Sequence, residues 1–236
     1  MPISRNKRVI FVHIPKCAGT SIEKLFAMAT REELFTTVGL GHKTITDKSL
    51  FDENWKFEQC AAKNMQHYTF REISAVLSSE VVASYDIFSI VRNPYTRLVS
   101  EYEHCKAKHS RGEVWARIHE TSPCRSFADF INTQLQLTDY TRIQNYDGHL
   151  ETQTSYLINS AGNLESIGTI YRFEDIGTAI TELTAKYKLP KLSKPERIGD
   201  YTKNYASYYN PELQHIVKTF YAQDFEMFNY NPDILP

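Results

Sequence analysis

Three apolar stretches, each running into a helix-forming segment, constrain this chain more than any other feature. They are "RVIFVHI" (residues 8 to 14), "YDIFSIV" (85 to 91) and "IGTIYRF" (167 to 173). Each is too short for a helix, rich in β-branched and aromatic residues, and close to continuously apolar. That is the pattern of strands buried on both faces. Helix signals follow each one. Thr20 or Ser21 can cap a helix that aligns Ile22, Leu25 and Phe26. "TFRE" (Thr69 to Glu72) has the form of a capping box, so a helix is predicted from there to about Ser79. Asn93-Pro94 turns the second strand into a helix with Leu98, Val99 and Tyr102 on its buried face. Ser126 to Leu137 and "HLETQTSYLI" are also predicted helical. A helix from Asp175 to about Lys188 follows the third strand, and a last one starts near Pro211 with Leu213, Ile216, Val217 and Phe220 inward. This alternation predicts an α/β fold, a central mostly parallel sheet flanked by helices. With 236 residues, 42% of them hydrophobic, one core suffices, and a single domain over 1–236 is expected.

The formal charge of −1 speaks against general nucleic-acid binding, while leaving room for a local basic pocket. Cys17, Cys60, Cys105 and Cys124 are scattered without a CxxC pair, so free thiols are expected rather than a zinc ribbon or a disulfide framework. "HCKAKH" places His104 and His109 about 140° apart on a helix, which does not make a metal site. "MPISRNKR" leads into the first strand without a signal-like apolar region, and no apolar run nears the length of a membrane span. The expectation is a soluble, cytoplasmic protein without a transmembrane segment.

The stretch "VIFVHIPKCAGTSIEKLF" (9 to 26) carries the first chemical signal. In an open parallel sheet, ligands bind beyond the carboxyl ends of the strands. The loop here leads into a helix N-terminus, whose unpaired N–H groups and dipole favour anionic oxygens. Gly19 allows close backbone approach, Thr20 and Ser21 add hydroxyls, and Lys16 adds a positive charge. A 5′-phosphate would fit. Read alone, the stretch also suits a tight strand-to-helix turn with an exposed lysine. A nucleoside triphosphatase loop needs G-x-x-x-x-G-K-[ST], whereas here the lysine precedes the glycine. A cysteine-phosphatase loop would put an arginine six residues after Cys17, where Glu23 stands. A dinucleotide G-x-G-x-x-G is absent.

The second strand ends in "SIVRNPYTRLVSEYEH", with Arg92 at its end where a magnesium-holding acid would otherwise stand. Arg92 and Ser100 can form a second anion site, since a guanidinium fork matches phosphate oxygens. A surface ion pair and an ordinary helix serine are the competing readings. Two anion sites at neighbouring strand ends suggest a nucleotide phosphorylated at both its 5′ and 3′ positions.

"HIPKCAGTS" together with "VRNPYTRLVSEY" resembles the sulfotransferases, in particular the group containing heparan 2-O- and chondroitin or dermatan O-sulfotransferases and their bacterial relatives. "QHYTFREI", "TIYRFEDI" and "YYNPELQHIVKTFYAQDFEMFNY" extend the likeness over most of the chain. The resemblance implies a P-loop-like three-layer fold and 3′-phosphoadenosine 5′-phosphosulfate (PAPS) as co-substrate, with PAP as product and no metal required. It implies that Lys16 contacts the bridging oxygen and the transferring sulfuryl group. The loop through Cys17, Ala18, Gly19, Thr20 and Ser21 would cradle the 5′-phosphate, and Arg92 and Ser100 would take the 3′-phosphate. His67 falls in the segment bearing the family's catalytic histidine. His42, in "GLGHKTI", is the alternative base or an acceptor-site residue.

His13 lies inside the first strand and is read as a packed residue that orients the loop. Glu174 can orient a neighbour or cap a helix. The basic segment from Lys188 to Lys203 suits a flap over the nucleotide, with Arg197 and Lys203 as cofactor contacts. The resemblance implies a carbohydrate or other hydroxyl-bearing acceptor, and the missing anchor and lumenal cysteines of Golgi relatives point to a prokaryotic cytosolic enzyme. A small-molecule kinase of related fold and a non-catalytic nucleotide- or glycan-binding protein are the alternatives.

Overall fold

A computed structural model describes residues 2–30, 65–110, 126–135, 148–190 and 204–236. It divides into two compact units, Met1–Val91 with Gln153–Glu196 and Arg92–Thr152 with Arg197–Pro236.

The first unit holds a four-stranded sheet of order β1-β2-β3-β4. Its strands are β1 (Ile3–Ser4), β2 (Val9–Val12), β3 (Asp86–Val91) and β4 (Thr169–Arg172). β1 pairs antiparallel with β2, whereas β2/β3 and β3/β4 are parallel, with Val12 opposite Ser89 and Val91 opposite Arg172. The mixed α/β architecture and mostly parallel sheet agree with the sequence pattern. All of β2 and all of β3 beyond Asp86 are buried, as strands covered on both faces must be. Ser89, fully buried in β3, donates its hydroxyl to the Val12 carbonyl at 2.7 Å, so no polar atom is stranded there. β4 is half-buried throughout.

β2 ends at Val12, so His13, expected inside the strand, lies just past it, and its ring stacks on that of Phe11 at 5.5 Å. Phe88 stacks on Phe11 at 5.0 Å and meets Phe26 of helix α1 (Gly19–Thr30). Phe26 in turn meets Tyr187 of the helix after β4. This aromatic layer fixes α1 against the strands and brings His13 beneath it.

Several boundaries differ from those predicted. Arg8 takes a left-handed φ of 50°, so the first predicted strand is cut to begin at Val9, and the antiparallel β1 precedes it. α1 starts at Gly19, with the N–H groups of Ser21 and Ile22 donating to the Ala18 carbonyl. Thr20 and Ser21 consequently lie inside the first turn rather than at the cap. The Thr69–Glu72 capping box is present in full, but α2 ends at Val76 (Phe70–Val76) because Leu77 is extended. Ser78 then caps a separate helix, α3 (Ser79–Ser84).

The second unit is helical. α4 (Pro94–Ser110) starts with the Asn93 side chain accepting from the Tyr95 N–H at 2.9 Å. α5 (Phe127–Gln134) is capped by Ser126 and has Leu135 at its C-cap. The predicted "HLETQTSYLI" helix is reduced to α6 (Gln153–Leu157) of the first unit, since Gly148–Glu151 forms a turn. α7 (Ile176–Tyr187), also in the first unit, has Asp175 at its N-cap position. Glu174 lies one residue earlier, in the 3-10 turn Phe173–Asp175, and not at the cap position itself. α8 (Pro211–Phe220) and α9 (Ala222–Met227) complete the second unit. Tyr102, Phe127, Phe130 and Tyr208 form ring contacts in its core. Arg97, buried, donates to the carbonyls of His149 and Glu151, and the Tyr221 hydroxyl donates to that of Leu150.

Candidate functional site

The loop between β2 and α1 is conformationally unusual. Lys16 (φ 68°) and Ala18 (φ 64°) both occupy the left-handed region, which costs a side-chain-bearing residue about 1–3 kcal/mol and recurs at ligand sites. Cys17 anchors the bend between them. It is fully buried, its N–H donates to the Ile14 carbonyl at 3.3 Å, and its thiol lies 3.4 Å from Gln153 Oε1. Lys16 is half-buried and Thr20 exposed. Among the described residues the N–H groups of Gly19 and Thr20 have no backbone acceptor, as expected at a helix start. These two donors and Lys16 make the cationic end of the loop.

Gly19 has a second reason to be glycine. A Cβ there would come within 1.9 Å of His13 Nε2, so the imidazole fills the space a side chain would need. His13 is 5% exposed, and its Nδ1 sits 2.5 Å from Glu23 Oε1 of α1. Gln66 donates to both oxygens of the same carboxylate, each at 3.0 Å. Burial works against the charge of Glu23, but the hydrogen bond and charge of His13 and the Gln66 donor outweigh it, holding the carboxyl below its ordinary range. His67, at the end of the 3-10 turn Met65–His67, meets His13 edge-on at 5.0 Å. The structure thus gathers His13, Gly19, Glu23, Gln66 and His67 in the first unit. Of these, Glu23 signals in the sequence only that a phosphatase loop is excluded, and Gln66 carries no signal there.

The second unit orients Arg92, which is 3% exposed. Its Nε donates to Thr96 Oγ1 at 3.0 Å and its terminal nitrogen to the Tyr205 hydroxyl at 2.8 Å. The Tyr205 ring also lies 5.9 Å from the guanidinium carbon, within cation–π range. Ser100 is buried at 5% exposure. Thr96 and Ser100, four apart in α4, lie on one side of the helix, and Thr96 reaches Arg92 just before it. Tyr205 stands 113 residues away and carries no signal in the sequence.

His42, Arg197 and Lys203 lie outside the described residues. Of the four cysteines, Cys17 and Cys105 are buried thiols outside any disulfide, and Cys60 and Cys124 lie outside the described residues. Among the described residues no helix is long and apolar enough to cross a membrane, and no group of three or more His, Cys, Asp or Glu side chains is arranged to hold a metal ion.

A model described as "Sulfotransferase family" matches residues 1–231. The chain belongs to the sulfotransferase family. No curated protein and no solved structure gives a significant match. Sulfotransfer is therefore the general activity, and the mostly parallel α/β sheet agrees with the P-loop-like fold of such enzymes. Within a sulfotransferase, the strained loop ending at Gly19 and the buried Arg92 become the natural places to look for anionic substrate groups.

Proposed function

We propose that this sulfotransferase moves the sulfuryl group of PAPS to an acceptor hydroxyl, most readily that of a carbohydrate, in the cytoplasm. The observation that carries the reading is the loop: two left-handed residues, Lys16 and Ala18, lead into a helix whose Gly19 and Thr20 N–H groups have no backbone acceptor among the described residues. Such a cup suits a phosphate. The backbone of Lys16 to Ser21 would hold the 5′-phosphosulfate, and the Thr20 and Ser21 hydroxyls would add donors. The buried thiol of Cys17 and the methyl of Ala18 would shape the loop rather than touch the nucleotide with their side chains.

Arg92 would take the 3′-phosphate together with Ser100. Its guanidinium is already held by Thr96 and Tyr205, so little rotamer freedom remains to be lost on binding. Arg197 and Lys203 would contribute from the basic segment that precedes Asn204.

PAPS supplies a sulfuryl group on a phosphate that leaves readily. In an in-line displacement, the acceptor oxygen forms its bond to sulfur as the bond from sulfur to the bridging phosphate oxygen breaks, giving PAP. Lys16 neutralises charge on that leaving oxygen, an effect of about 3–4 kcal/mol for a preorganised donor. His67 accepts the acceptor's proton, a role suited to imidazole, which titrates near neutrality.

The test is transfer of radiolabelled sulfate from PAPS onto a panel of saccharides in the presence of a chelator. Labelled saccharide is the expected product. No transfer to any saccharide, with transfer to a lipid or small-metabolite hydroxyl instead, would overturn the acceptor class. Phosphoryl transfer from magnesium ATP would overturn the reaction.

A further inference from the structure

Glu23 hydrogen-bonds two pieces of the first unit that also touch through the edge-on contact of His13 and His67. It belongs to α1, one turn beyond the loop, and is 9% exposed. One oxygen sits 2.5 Å from His13 Nδ1, and His13 Nε2 occupies the space beside Gly19. The Gln66 amide spans both oxygens at 3.0 Å. Gln66 immediately precedes His67 in the same 3-10 turn, whose ends, Met65 and His67, are both buried. One carboxylate therefore has contacts running to the phosphate loop in one direction and to the histidine-bearing turn in the other. A carboxylate accepting an imidazole N–H fixes which ring nitrogen carries the proton and how the ring is turned.

We propose that Glu23 is a positioning residue which, through His13 on one side and Gln66 on the other, sets the phosphate loop and His67 in register. This rests on the sulfotransfer reading above, in which the loop holds the donor and His67 takes the proton. Glu23 touches neither donor nor acceptor in this scheme. It acts by holding groups that do. A small displacement of a proton acceptor from its reacting partner is enough to slow a reaction about a hundredfold.

Two variants of the full chain separate the arms. Gln66→Ala removes the amide that joins Glu23 to the histidine turn and leaves the Glu23–His13 bond in place, and Glu23→Gln removes the charge while keeping the shape. Long-range proton–nitrogen spectra of the histidine-labelled proteins read the rings directly, without any acceptor. In the wild type His13 carries a proton on Nδ1. In Gln66→Ala the His67 signals move while His13, still bonded to Glu23, keeps its proton on Nδ1; in Glu23→Gln both sets move. In turnover with PAPS, Gln66→Ala is expected to lower kcat about tenfold or more with the KM for PAPS unchanged, the signature of a contact that matters in the transition state. Glu23→Gln should lower kcat and also raise that KM. His67 signals that stay in place in both variants, each checked to be folded by circular dichroism, would overturn the proposal. So would a Gln66→Ala protein with wild-type kcat. Failure of the wild type to bind PAP would instead remove the sulfotransfer reading, while the spectra would still decide whether Glu23 sets His67.

Discussion

The two candidate anion-binding regions are built in opposite ways. In the first unit, the backbone does the work: a run of six residues from Lys16 to Ser21 bends through two left-handed positions, and side chains from elsewhere hold the bend. In the second unit the helix α4 is regular, and the region is made of side chains, with Arg92 clamped by Thr96 and by Tyr205 from 113 residues away. A backbone site is disturbed by anything that moves the chain, whereas a side-chain site loses only what the substituted group supplied. The two regions should therefore fail differently.

The largest effect is expected from His67→Ala. Loss of a general base typically costs about 10²–10⁴ in rate, and PAP binding should persist, because the histidine is assigned to the acceptor's proton. Rate measurements paired with calorimetry check this, and full activity would remove the base assignment. Next comes Arg92→Ala. Removing a charge-assisted donor from a phosphate should weaken PAP by about 2–3 kcal/mol, with adenosine 5′-phosphate, which lacks the 3′ group, affected far less.

Gly19→Ala tests the backbone side of the contrast. The added methyl would meet the His13 ring at 1.9 Å, and overpacking of this kind costs about 1–3 kcal/mol. Both Tm and PAP affinity should fall together, whereas Arg92→Ala should weaken PAP selectively over adenosine 5′-phosphate. If Gly19→Ala left Tm untouched, the His13 contact would not be holding the loop.

The smallest effect concerns acid stability. Glu23 is held below its ordinary carboxyl value of 4.5 despite burial, through His13 and Gln66. A depressed native value means the unfolded chain takes up the proton first. The stability Glu23 contributes is thus complete above 4.5 and is lost as pH falls through the native value. Thermal unfolding of Glu23→Gln should accordingly depend less on pH below 4.5 than that of the wild type.

Much of this contrast was legible in the sequence, but unevenly. The strands were recognisable because burial on both faces leaves an apolar run that no exposed segment would carry. The loop was recognisable because its residues are contiguous. "TFRE" was readable as a capping box because that motif is purely local, and Glu72 and Thr69 do exchange the expected bonds. Helix ends were less secure: Leu77 breaks α2 without any proline or glycine to announce it. The Glu23–His13–Gln66 cluster was out of reach, since a carboxylate on α1 meets an imidazole just past β2 and a distant turn only once the sheet is assembled. Tyr205 was hidden for the same reason, and Gly19 was assigned to backbone approach when the nearer constraint is a histidine ring.

The central claim is that this sulfotransferase holds a nucleotide carrying both 5′ and 3′ phosphates. Calorimetric titration of PAP into the wild-type chain in the presence of a chelator tests it most directly. The account predicts one molecule bound per chain without metal, with affinity well above that for adenosine 5′-phosphate. No heat of binding for PAP, or equal affinity for the two nucleotides, would contradict it.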